Sequence, residues 1–341
     1  MASILILTGR EDLTADAVVE ELVKRGETVV RYDTADFPTA SRLAVSLTGD
    51  GWTGPLAGSR TVRLESVKSV WWRRPNEFRT PDDWPGHARA LAVSEARSGL
   101  LGVLGSLPVR WINHPSRDAA ANYKPVQLAV AVRCGLDVPR SVITSDPEHA
   151  RTFMGDDTVV YKGLGGGVLG PGGERQFLPV ALVSADHVDD GVSGTAHLFQ
   201  ERVEKAYEVR LTVIGDRMFP VAIHAGSEAA QLDWRTDYQS HTYEVVDLPP
   251  EVEKGVRRLM DELGLFFGAL DFAVTPDGRW VFFEVNPNGQ WHWLAVKAGV
   301  PLVEAMGATH YKERPHDRSA HMDRRRPRPR RQGDRERSRM A

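Results

Sequence analysis

Apolar residues near the amino terminus follow a strand period, then a helix period, then a strand period again. Ser3–Thr8 is a nearly continuous apolar run, which is typical of a buried strand. Ala15–Lys24 has apolar residues at helical spacing, Gly26 predicts its end, and Thr28–Tyr32 predicts a second strand. This order predicts a βαβ unit that opens a doubly wound α/β domain. The loop over residues 9–12 lacks Gly-x-Gly-x-x-Gly, so a dinucleotide site there has little support.

The first domain continues to about Pro115. Ser69–Arg73 predicts a further strand, and Ala88–Leu104 predicts a long helix. The strand ends in Trp-Trp-Arg-Arg-Pro, which places Arg73 and Arg74 beside two tryptophans. These guanidinium groups could receive an acidic ligand, or they could form structural ion pairs, which are common.

The remainder of the chain predicts a second α/β unit. Lys124 precedes Pro125, a residue that favours the first position of a helix, so we expect a helix over 125–133. Another helix is predicted over Pro250–Leu263 from its amphipathic spacing. Strands are predicted at Val138–Thr144, Thr158–Lys162, Leu198–Val203, Glu208–Ile214 and Phe219–His224, and a hairpin at Phe267–Asn286.

The hairpin brings two acidic residues together. Asp277-Gly278 is a favoured centre for a two-residue type I′ turn, and this register pairs Asp271 with Glu284. Side-chain alternation then places Asp271, Glu284 and Asn286 on one face. The predicted apolar face contains Phe272, Val274, Val281, Phe283 and Val285.

Two opposed carboxylates indicate a bound cation. Their Cβ atoms would lie about 5 Å apart. Two negative charges at that distance repel by roughly 3 kcal/mol at an effective dielectric near 20. Asp271, Glu284 and Asn286 are hard oxygen ligands of the kind that Mg²⁺ prefers. The alternative is a wet surface pair in which one carboxyl group has a raised pKa.

Two lysines are candidates for binding phosphates, with which Mg²⁺ usually binds. Lys162 leads into a glycine-rich loop over residues 163–170 that includes Gly165 and Gly166. Backbone N–H groups of such a loop can close on phosphate oxygens, but a flexible turn has the same composition. The loop lacks the P-loop pattern. Lys124, at a predicted helix start, is the second candidate.

The strands from residue 198 onward offer candidate contacts for a nucleotide. Gln200, Glu201 and Val203 lie along a strand edge that could offer donors and acceptors to a purine. The carboxylates, including Glu208, could bind its amino group or ribose. Arg210 could hold a transferring phosphoryl group. A salt-bridged pair of strands would show the same pattern.

The composition is that of a soluble globular protein, with 41% hydrophobic and 26% charged residues in a chain of 341. Cys134 is the only cysteine, so no intrachain disulfide can form and a reducing compartment is expected. There is no signal-peptide pattern, and no apolar run approaches the roughly 20 residues that span a bilayer. We therefore expect a cytoplasmic protein with no membrane partner.

The net charge of −3 hides an asymmetry. Residues 312–341 contain twelve Lys/Arg and five Asp/Glu, a charge of +7, so the other residues carry −10. An acidic body argues against a specific nucleic-acid partner. The basic tail has no apolar period, so we expect residues 311–341 to be disordered. The tail could touch RNA, or it could be a solvated terminus without a role.

These motifs, taken together, resemble the ATP-grasp superfamily. The set covers about residues 115–305 and occurs in the superfamily's order: Lys124, Lys162 with its glycine loop, Gln200-Glu201, Glu208-Val-Arg210, Asp271 and Glu284-Val-Asn286. The closing Phe-Glu-Val-Asn-Pro-Asn over 283–288 is similar to the superfamily's metal motif.

A finer resemblance is to graspetide synthetases, peptide-maturing ligases of the microviridin type. The residues that carry it are Val70–Pro75, Lys124–Leu128, Val138–Arg140, His224 with Asp233-Trp-Arg235, and Glu284–Gln290. Such enzymes join Asp/Glu side chains of a ribosomal precursor peptide to Thr/Ser or Lys side chains, which gives ester or amide macrocycles. After Met306, where the family would have a final helix, this sequence departs into the arginine-rich tail.

The resemblance implies an ATP-grasp fold with an N-terminal pre-ATP-grasp domain over residues 1–115. The ATP-grasp domain would span 116–310, with a central subdomain to about 198 and a C-terminal subdomain from about 199. The implied cofactors are ATP and two Mg²⁺ ions. The implied partner is a precursor peptide with leader and core, and a homodimer is a further expectation.

The resemblance also implies nucleotide-binding roles. Lys124 and Lys162, with Gly165 and Gly166 of the loop, would hold the phosphates. Gln200, Glu201 and Val203 would lie at the adenine, and Glu208 would bind the ribose.

Catalytic and metal roles follow in the same way. Arg210 and Asn286 would meet the γ-phosphate, and Asp271, Glu284 and Asn286 would ligate the metals, with Glu284 bridging. Arg235 would orient the carboxylate or acyl phosphate. Candidate substrate residues are Arg73, Arg74, Asp233 and His224, the last as a base or as a core histidine.

Three alternatives remain open from sequence. One is an ATP-grasp carboxylate–amine ligase that acts on amino acids or small peptides, although the segments 71–75 and 233–235 favour the graspetide interpretation. Another is a non-catalytic ATP-binding protein, against which the intact metal set argues. The last is an RNA-binding protein that acts through its tail.

Overall fold

The amino-terminal part of the computed structural model is built on a parallel sheet. The structure describes residues 3–165, 168–169, 175–176, 180–227 and 240–310. The first strands are β1 (Ser3–Thr8), β2 (Thr28–Tyr32), β3 (Arg42–Leu43), β4 (Ser46–Thr48), β5 (Gly51–Thr53), β6 (Pro55–Ala57), β7 (Thr61–Arg63), β8 (Val67–Arg74) and β9 (Arg110–Ile112). The helices are α1 (Leu13–Lys24), α2 (Gly86–Ala96) and α3 (Gly102–Gly105), with a π-helical turn over Arg97–Leu101.

The predicted βαβ opening is confirmed. The sheet has the order β2-β1-β8-β9, and β1 pairs in parallel with both β2 and β8. Ile4 to Leu7 of β1 are fully buried, as expected for a central parallel strand covered on both faces. Helix α1 begins after Asp12, whose side chain accepts hydrogen bonds from the backbone of Thr14 and Ala15.

Two larger antiparallel sheets, with a small sheet and several helices, form the rest of the described chain. The strands are β10 (Ser141–Thr144), β11 (Val159–Lys162), β12 (Val168–Leu169), β13 (Arg175–Gln176), β14 (Ala181–Val183), β15 (His197–Gln200), β16 (Tyr207–Ile214), β17 (Arg217–His224), β18 (Thr242–Val245), β19 (Phe267–Val274) and β20 (Trp280–Asn286). The helices are α4 (Pro115–Ala121), α5 (Lys124–Arg133), α6 (Pro147–Met154), α7 (Pro250–Leu263), α8 (His292–Lys297) and α9 (Leu302–Thr309). The sheet orders are β10-β15-β11-β14 and β18-β17-β16-β19-β20, with smaller sheets β3-β6-β7, β4-β5 and β12-β13.

The five-stranded sheet has an apolar face and a polar face. The apolar face packs into one buried cluster with α5 and α7, which includes Leu211, Leu270, Phe272, Phe282 and Leu259. Because successive side chains of a strand point to opposite faces, Arg210 and Asp271 lie on the other face. The strand pattern therefore places the candidate site residues away from the core.

The predicted hairpin turn is wrong, although the predicted carboxylate pair is confirmed. A two-residue turn would need an N–H donor at Pro276, which has none. The loop instead closes at Thr275, whose backbone N–H donates to the Arg279 carbonyl at 3.0 Å. Gly278 takes the positive φ of 86° that this longer loop requires.

The longer loop shifts the register by one residue near the turn. Phe272 faces Phe282, and an irregularity between Asp271 and Phe272 then restores the pairing of Asp271 with Glu284. The predicted apolar face is therefore corrected. Trp280 and Phe282 join the core cluster, whereas Phe283 is only half-buried.

Two predicted strands are shorter than expected. The strand predicted over 138–144 begins at Ser141, and the one predicted over 198–203 ends at Gln200. Glu201 and Val203 therefore lie in the segment that connects two sheets. None of the helices in the described parts of the chain is long and apolar enough to cross a membrane. The predicted domain boundaries stay predictions, and the predicted tail lies outside the described residues.

A buried histidine joins α9 to the parallel sheet. The imidazole of His310 is 5% exposed, and its Nδ1 lies 2.7 Å from the Ser69 hydroxyl. Burial, with help from the charges of Arg110 and Lys68, lowers the pKa of His310 to about 3. The folded protein therefore holds this imidazole in its neutral form.

This histidine predicts a loss of stability in acid. An unfolded histidine binds a proton near pH 6.5, whereas folded His310 does not. The free energy of unfolding should fall by about 1.4 kcal/mol for each pH unit below about 6 because of this one group. Urea unfolding between pH 7 and 4.5 measures the slope. The slope should be shallower in His310→Gln and unchanged in the control His87→Gln, an exposed histidine; equal slopes in all three proteins would contradict this account.

Candidate active site

The centre of the polar face is an ion pair that links two neighbouring strands. Arg210 on β16 lies directly opposite Asp271 on β19, and its Nη1 donates to Asp271 Oδ1 at 2.6 Å. Both side chains are 5% exposed. Asp271 in turn opposes Glu284 on β20, so one guanidinium and two carboxylates lie side by side across three strands.

Lys124 brings a second cation to this group. It is the first residue of α5, and its Nζ lies 3.4 Å from Glu284 Oε2. Both side chains are about a quarter exposed, so the pair lies at the wall of an accessible site. The structure thus brings together Lys124, Arg210, Asp271 and Glu284, which sequence reasoning had proposed from distant parts of the chain.

Lys162 approaches the same group from another sheet. It ends β11, and its Nζ lies 4.3 Å from the centre of the Phe283 ring. Burial lowers the pKa of Lys162, while the charges of Glu284 and Glu208 oppose that shift and Lys124 adds to it. A partly desolvated lysine beside a second lysine favours a polyanionic ligand, since such a ligand offsets both charges.

The other predicted nucleotide residues lie in these two sheets or in the segments next to their strands. Gln200 is buried, and its amide donates to the Ser141 hydroxyl at 2.8 Å. Glu201 pairs with the Arg140 guanidinium at 3.1 Å, and Val203 is half-buried. Glu208 is 8% exposed and forms an ion pair with Lys205. Gly165 is exposed, and Gly166 lies outside the described residues.

The predicted substrate residues differ in their surroundings. Arg73 is 1% exposed, and its guanidinium donates to Asp12 at 3.2 Å and to the carbonyls of Asn288 and Gly289 at 3.0 Å each. Of the two interpretations open from sequence, the structural one matches this geometry. Arg74 is exposed and also donates to the Asn288 carbonyl.

His224 lies at the end of β17 and is accessible. Its Nε2 is 3.6 Å from a carboxylate oxygen of Glu244, and its ring centre is 5.2 Å from that of Tyr207. The side chain is 41% exposed, so it is not a core histidine. Asp233 and Arg235 lie outside the described residues.

Sequence reasoning missed the side chains that hold the metal-motif segment in place. Gln127 on α5 is 3% exposed, and its amide brackets Val285, the residue between Glu284 and Asn286. Its Oε1 accepts from the Val285 N–H at 2.9 Å, and its Nε2 donates to the Val285 carbonyl at 2.8 Å. β20 is an edge strand, and this amide supplies the hydrogen bonds of a missing neighbour.

Asn113 holds the other end of this segment. Its Nδ2 donates to the carbonyls of Phe267 and Pro287, each at 2.9 Å, and its Oδ1 accepts from the N–H groups of Phe266 and Phe267. The side chain is 1% exposed. Gln127 could have been found from sequence, because it lies three residues after Lys124 and therefore on the same helix face. No sequence pattern indicated a role for Asn113.

A buried carboxyl group supports the same loop. Asp118 on α4 accepts from the amide of Asn288 at 2.6 Å and from that of Asn122 at 3.3 Å. Burial raises the pKa of Asp118 to about 6. The backbone N–H of Asn288 donates to Asn286 Oδ1 at 3.1 Å, so α4 orients the predicted ligand Asn286 through one intermediate residue.

The donor set fits Mg²⁺. No group of three or more His, Cys, Asp or Glu side chains is arranged for a metal among the residues that the structure describes. Mg²⁺ needs no such cage, because it usually takes one or two carboxylates and completes its shell with substrate phosphates and water. Asp271 and Glu284 are directly opposed, and Asn286 continues the same strand face two residues later.

Comparisons with known proteins show what this chain is similar to. The family model of the MvdD pre-ATP-grasp domain matches residues 3–119. A search of curated proteins found no match. The chain is similar to the structure of macrocyclase MdnC bound with precursor peptide MdnA from Microcystis aeruginosa MRC, with 28% identity, a TM-score of 0.78, and coverage of 90% of this chain and 98% of that chain.

Two further structures show the same likeness. The RiPP-associated ATP-grasp ligase of Chryseobacterium gregarium, in complex with ADP and a leader and core peptide, has 26% identity and a TM-score of 0.84 over 92% of this chain and 98% of that chain. Macrocyclase MdnB from Microcystis aeruginosa MRC has 28% identity and a TM-score of 0.77 over 92% of this chain and 100% of that chain.

The Gln127 contact predicts a local effect on the metal-motif segment. Gln127→Met keeps the side-chain volume but leaves both backbone groups of Val285 without this partner, which should cost about 1–3 kcal/mol of unfolding free energy. Amide hydrogen exchange, followed by mass spectrometry, should accelerate over residues 283–290.

The matched control is Val130→Ala, which removes a buried side chain from the same helix but removes no hydrogen bond to β20. It should lower stability by a similar amount and leave exchange over residues 283–290 unchanged. If hydrogen exchange over residues 283–290 accelerates equally in both variants, the Gln127 hydrogen bonds do not specifically stabilise this segment.

The fold, the polar face and the comparisons lead to one identification. The matched family model covers the first domain, and the similar structures cover nine-tenths or more of the chain. The polar face brings Lys124 to Glu284 and Arg210 to Asp271. The chain is an ATP-dependent ligase of the ATP-grasp type that resembles the graspetide synthetases.

Proposed function

We propose that this protein activates Asp or Glu side-chain carboxylates of a ribosomal precursor peptide with ATP and joins them to Thr, Ser or Lys side chains of the same peptide. The observation that carries the proposal is the convergence of Lys124, Lys162 and Arg210 on the Asp271–Glu284 pair. Three cations and two opposed carboxylates form a site that can bind a nucleoside triphosphate together with Mg²⁺.

The residues support binding of the phosphates. Lys124 and Lys162 would contact the phosphate oxygens, and Asp271, Glu284 and Asn286 would ligate two Mg²⁺ ions. When bound, Mg²⁺ supplies charge that stabilises the transferring phosphoryl group. The pair between Arg210 and Asp271 keeps a guanidinium beside that group, where it would favour negative charge.

The adenosine part would lie between the two antiparallel sheets. Gln200 ends β15, Glu201 and Val203 follow it, and Glu208 is the second residue of β16. Glu201 is tied to Arg140, which directly precedes β10, the neighbour of β15 in the same sheet, so the Glu201 carboxylate is held in place there. Glu208 is our candidate for the ribose hydroxyls.

The reaction would proceed in two transfers. A peptide carboxylate oxygen attacks the γ-phosphorus of ATP, and the bond to ADP breaks to give an acyl phosphate and ADP. A hydroxyl or amine of the same peptide then attacks the acyl carbon, and phosphate leaves. The proton of the attacking group passes to a base, for which the accessible His224 is our candidate.

The protein would contribute mainly by positioning the reactants. A carboxylate is already a competent nucleophile, so no residue has to activate it. Arg235 would orient the carboxylate. Water has to be excluded, because it would hydrolyse the acyl phosphate.

The peptide substrate is supported by the similar proteins. The MdnC structure contains the precursor peptide MdnA, and the Chryseobacterium ligase contains a leader and core peptide. This chain covers 98% of both proteins, so the likeness extends over their substrate-binding parts. We therefore favour a peptide over a free amino acid as the carboxylate donor.

Mass spectrometry tests the proposal. A short Thr/Glu-rich peptide encoded next to the gene, incubated with the protein, ATP and Mg²⁺, should lose the mass of one water per linkage. Glu284→Gln should lower the rate at least about a hundredfold, because it removes a metal ligand. The control Glu262→Gln changes a surface carboxylate paired with Arg133 and should retain activity. ATP turnover only with free amino acids, and no change in peptide mass, would refute the peptide substrate.

A further inference from the structure

A polar cleft lies at the carboxyl ends of the parallel strands, outside the proposed nucleotide site. Its volume is about 940 Å³, and it is lined by residues that follow β1, β2 and β8. Strand order reverses at this point, since the chain goes from β1 to β2 on one side and then to β8 on the other. Open α/β sheets bind ligands at such a switch point.

The cleft shares a wall with the metal-motif segment. Gln290, His292 and Trp293, which follow that segment, line the cleft opposite the sheet. Arg74 also lines it, and its Nε and Nη2 donate to the Asn288 carbonyl at 3.1 and 2.9 Å. A single loop over residues 287–290 therefore separates the cleft from the Asp271–Glu284 pair. A chain that entered the active site could extend into this cleft.

The acidic groups of the cleft are mostly used by the protein itself. Asp12 accepts from Arg73 and caps α1, and its pKa is lowered although burial alone would raise it, because Arg73 and these hydrogen bonds favour its charged form. Asp33 accepts from the backbone and side chain of Asn76. Asp36 pairs with Arg10 at 3.0 Å. Glu11 is the one acidic group of this cleft with no hydrogen-bond or ion-pair partner among the residues that the structure describes.

The basic groups of the cleft retain free donors. The Arg79 side chain is exposed and has no hydrogen-bond or ion-pair partner in the parts of the chain that the structure describes. Arg74 binds only a carbonyl oxygen and has no carboxylate partner among those same residues. Arg10 gives one N–H to Asp36, and its side chain is 79% exposed. The cleft thus has more unused donors than unused acceptors, which favours carboxylates as guests.

We propose that this cleft binds an acidic segment of the peptide substrate beside the reacting side chain, with Arg79 and Arg74 as contacts for its carboxylates. The inference rests on the proposed peptide ligase function and specifies which part of the peptide is recognised here. Arg74 lies at the wall between the cleft and the active site, so it would contact the part of the segment that is nearest to the Asp271–Glu284 pair. The first domain then acts in substrate selection.

Charge reversal at Arg79 tests the cleft without requiring catalysis. The probes are three fluorescein-labelled synthetic peptides of Thr with Glu, Gln or Lys at the same positions, and fluorescence anisotropy gives each Kd in the absence of ATP. Arg79→Glu should weaken binding of the Glu peptide about tenfold and leave the Gln peptide unchanged. The same variant should strengthen binding of the Lys peptide.

The control is Arg89→Glu, which reverses an exposed arginine of α2 that pairs with Asp82 outside the cleft. It should change none of the three dissociation constants by more than about twofold. An equal effect of both variants, or an effect of Arg79→Glu that is the same for Glu and Gln peptides, would overturn the proposal. Full competition by an equal concentration of free glutamate would overturn the assignment to a peptide segment.

The cleft and the ligase function can fail separately. If the wild-type protein forms peptide linkages but Arg79→Glu does not change peptide binding, the ligase function stands and the assignment of the cleft is refuted. If Arg79→Glu changes peptide binding in a charge-dependent way but the wild-type protein forms no linkages, the assignment of the cleft stands and the ligase proposal is refuted. A thermal melt of each variant confirms that the protein is folded.

Discussion

The structure depends on fixing a backbone segment, residues 284–290, that begins in the last residues of the edge strand β20 and continues beyond it. Two of its residues, Glu284 and Asn286, face the proposed phosphate site, so their backbone must not slip. An edge strand has no neighbour on one side to hold it. Gln127 supplies that missing neighbour with its amide, and Asn113 holds the carbonyl of Pro287. Arg73 then holds the last part of the segment from the first sheet.

These contacts connect three distant parts of the sequence. Arg73 belongs to the parallel sheet, Gln127 to α5 and Glu284 to the final hairpin, and buried polar groups join them. Each such group is costly to bury without a partner, so the segment and its supports stabilise one another. The same contacts bring Lys124 to Glu284, because Lys124 and Gln127 lie on one face of α5. The same face of α5 therefore both supports the segment, through Gln127, and places a positive charge beside Glu284, through Lys124.

Local sequence patterns predicted the parts of this arrangement that depend on local periodicity. The βαβ opening follows from strand and helix periods, and the Asp271–Glu284 pair follows from the alternation of a hairpin. The predicted two-residue turn is wrong because Pro276 has no N–H to donate, and this outweighs the preference of Asp-Gly for such a turn. The strand irregularity beside Asp271 then restored the pair, a compensation that alternation alone does not show.

Long-range contacts were beyond such patterns. Gln127 and its partner Val285 are 158 residues apart, and nothing in the sequence near either residue indicates the other. Sequence left Arg73 open between a ligand-binding and a structural role, because the carbonyls of Asn288 and Gly289 that it binds lie more than 200 positions away. Charged side chains at a known spacing can be paired from the sequence. Every residue carries a backbone carbonyl, so the sequence does not indicate which carbonyl a buried side chain will bind.

The transfer of an isotope from the peptide carboxylate to phosphate tests the central claim most directly, namely that this protein activates a carboxylate as an acyl phosphate. A substrate peptide whose Asp and Glu carboxylates carry ¹⁸O would be incubated with the protein, ATP and Mg²⁺, and the products would be analysed by mass spectrometry. The account predicts one ¹⁸O atom in inorganic phosphate for each linkage, because the bridging oxygen of an acyl phosphate leaves with the phosphate. Linkage formation with no ¹⁸O in phosphate, or with ¹⁸O in AMP, would contradict it.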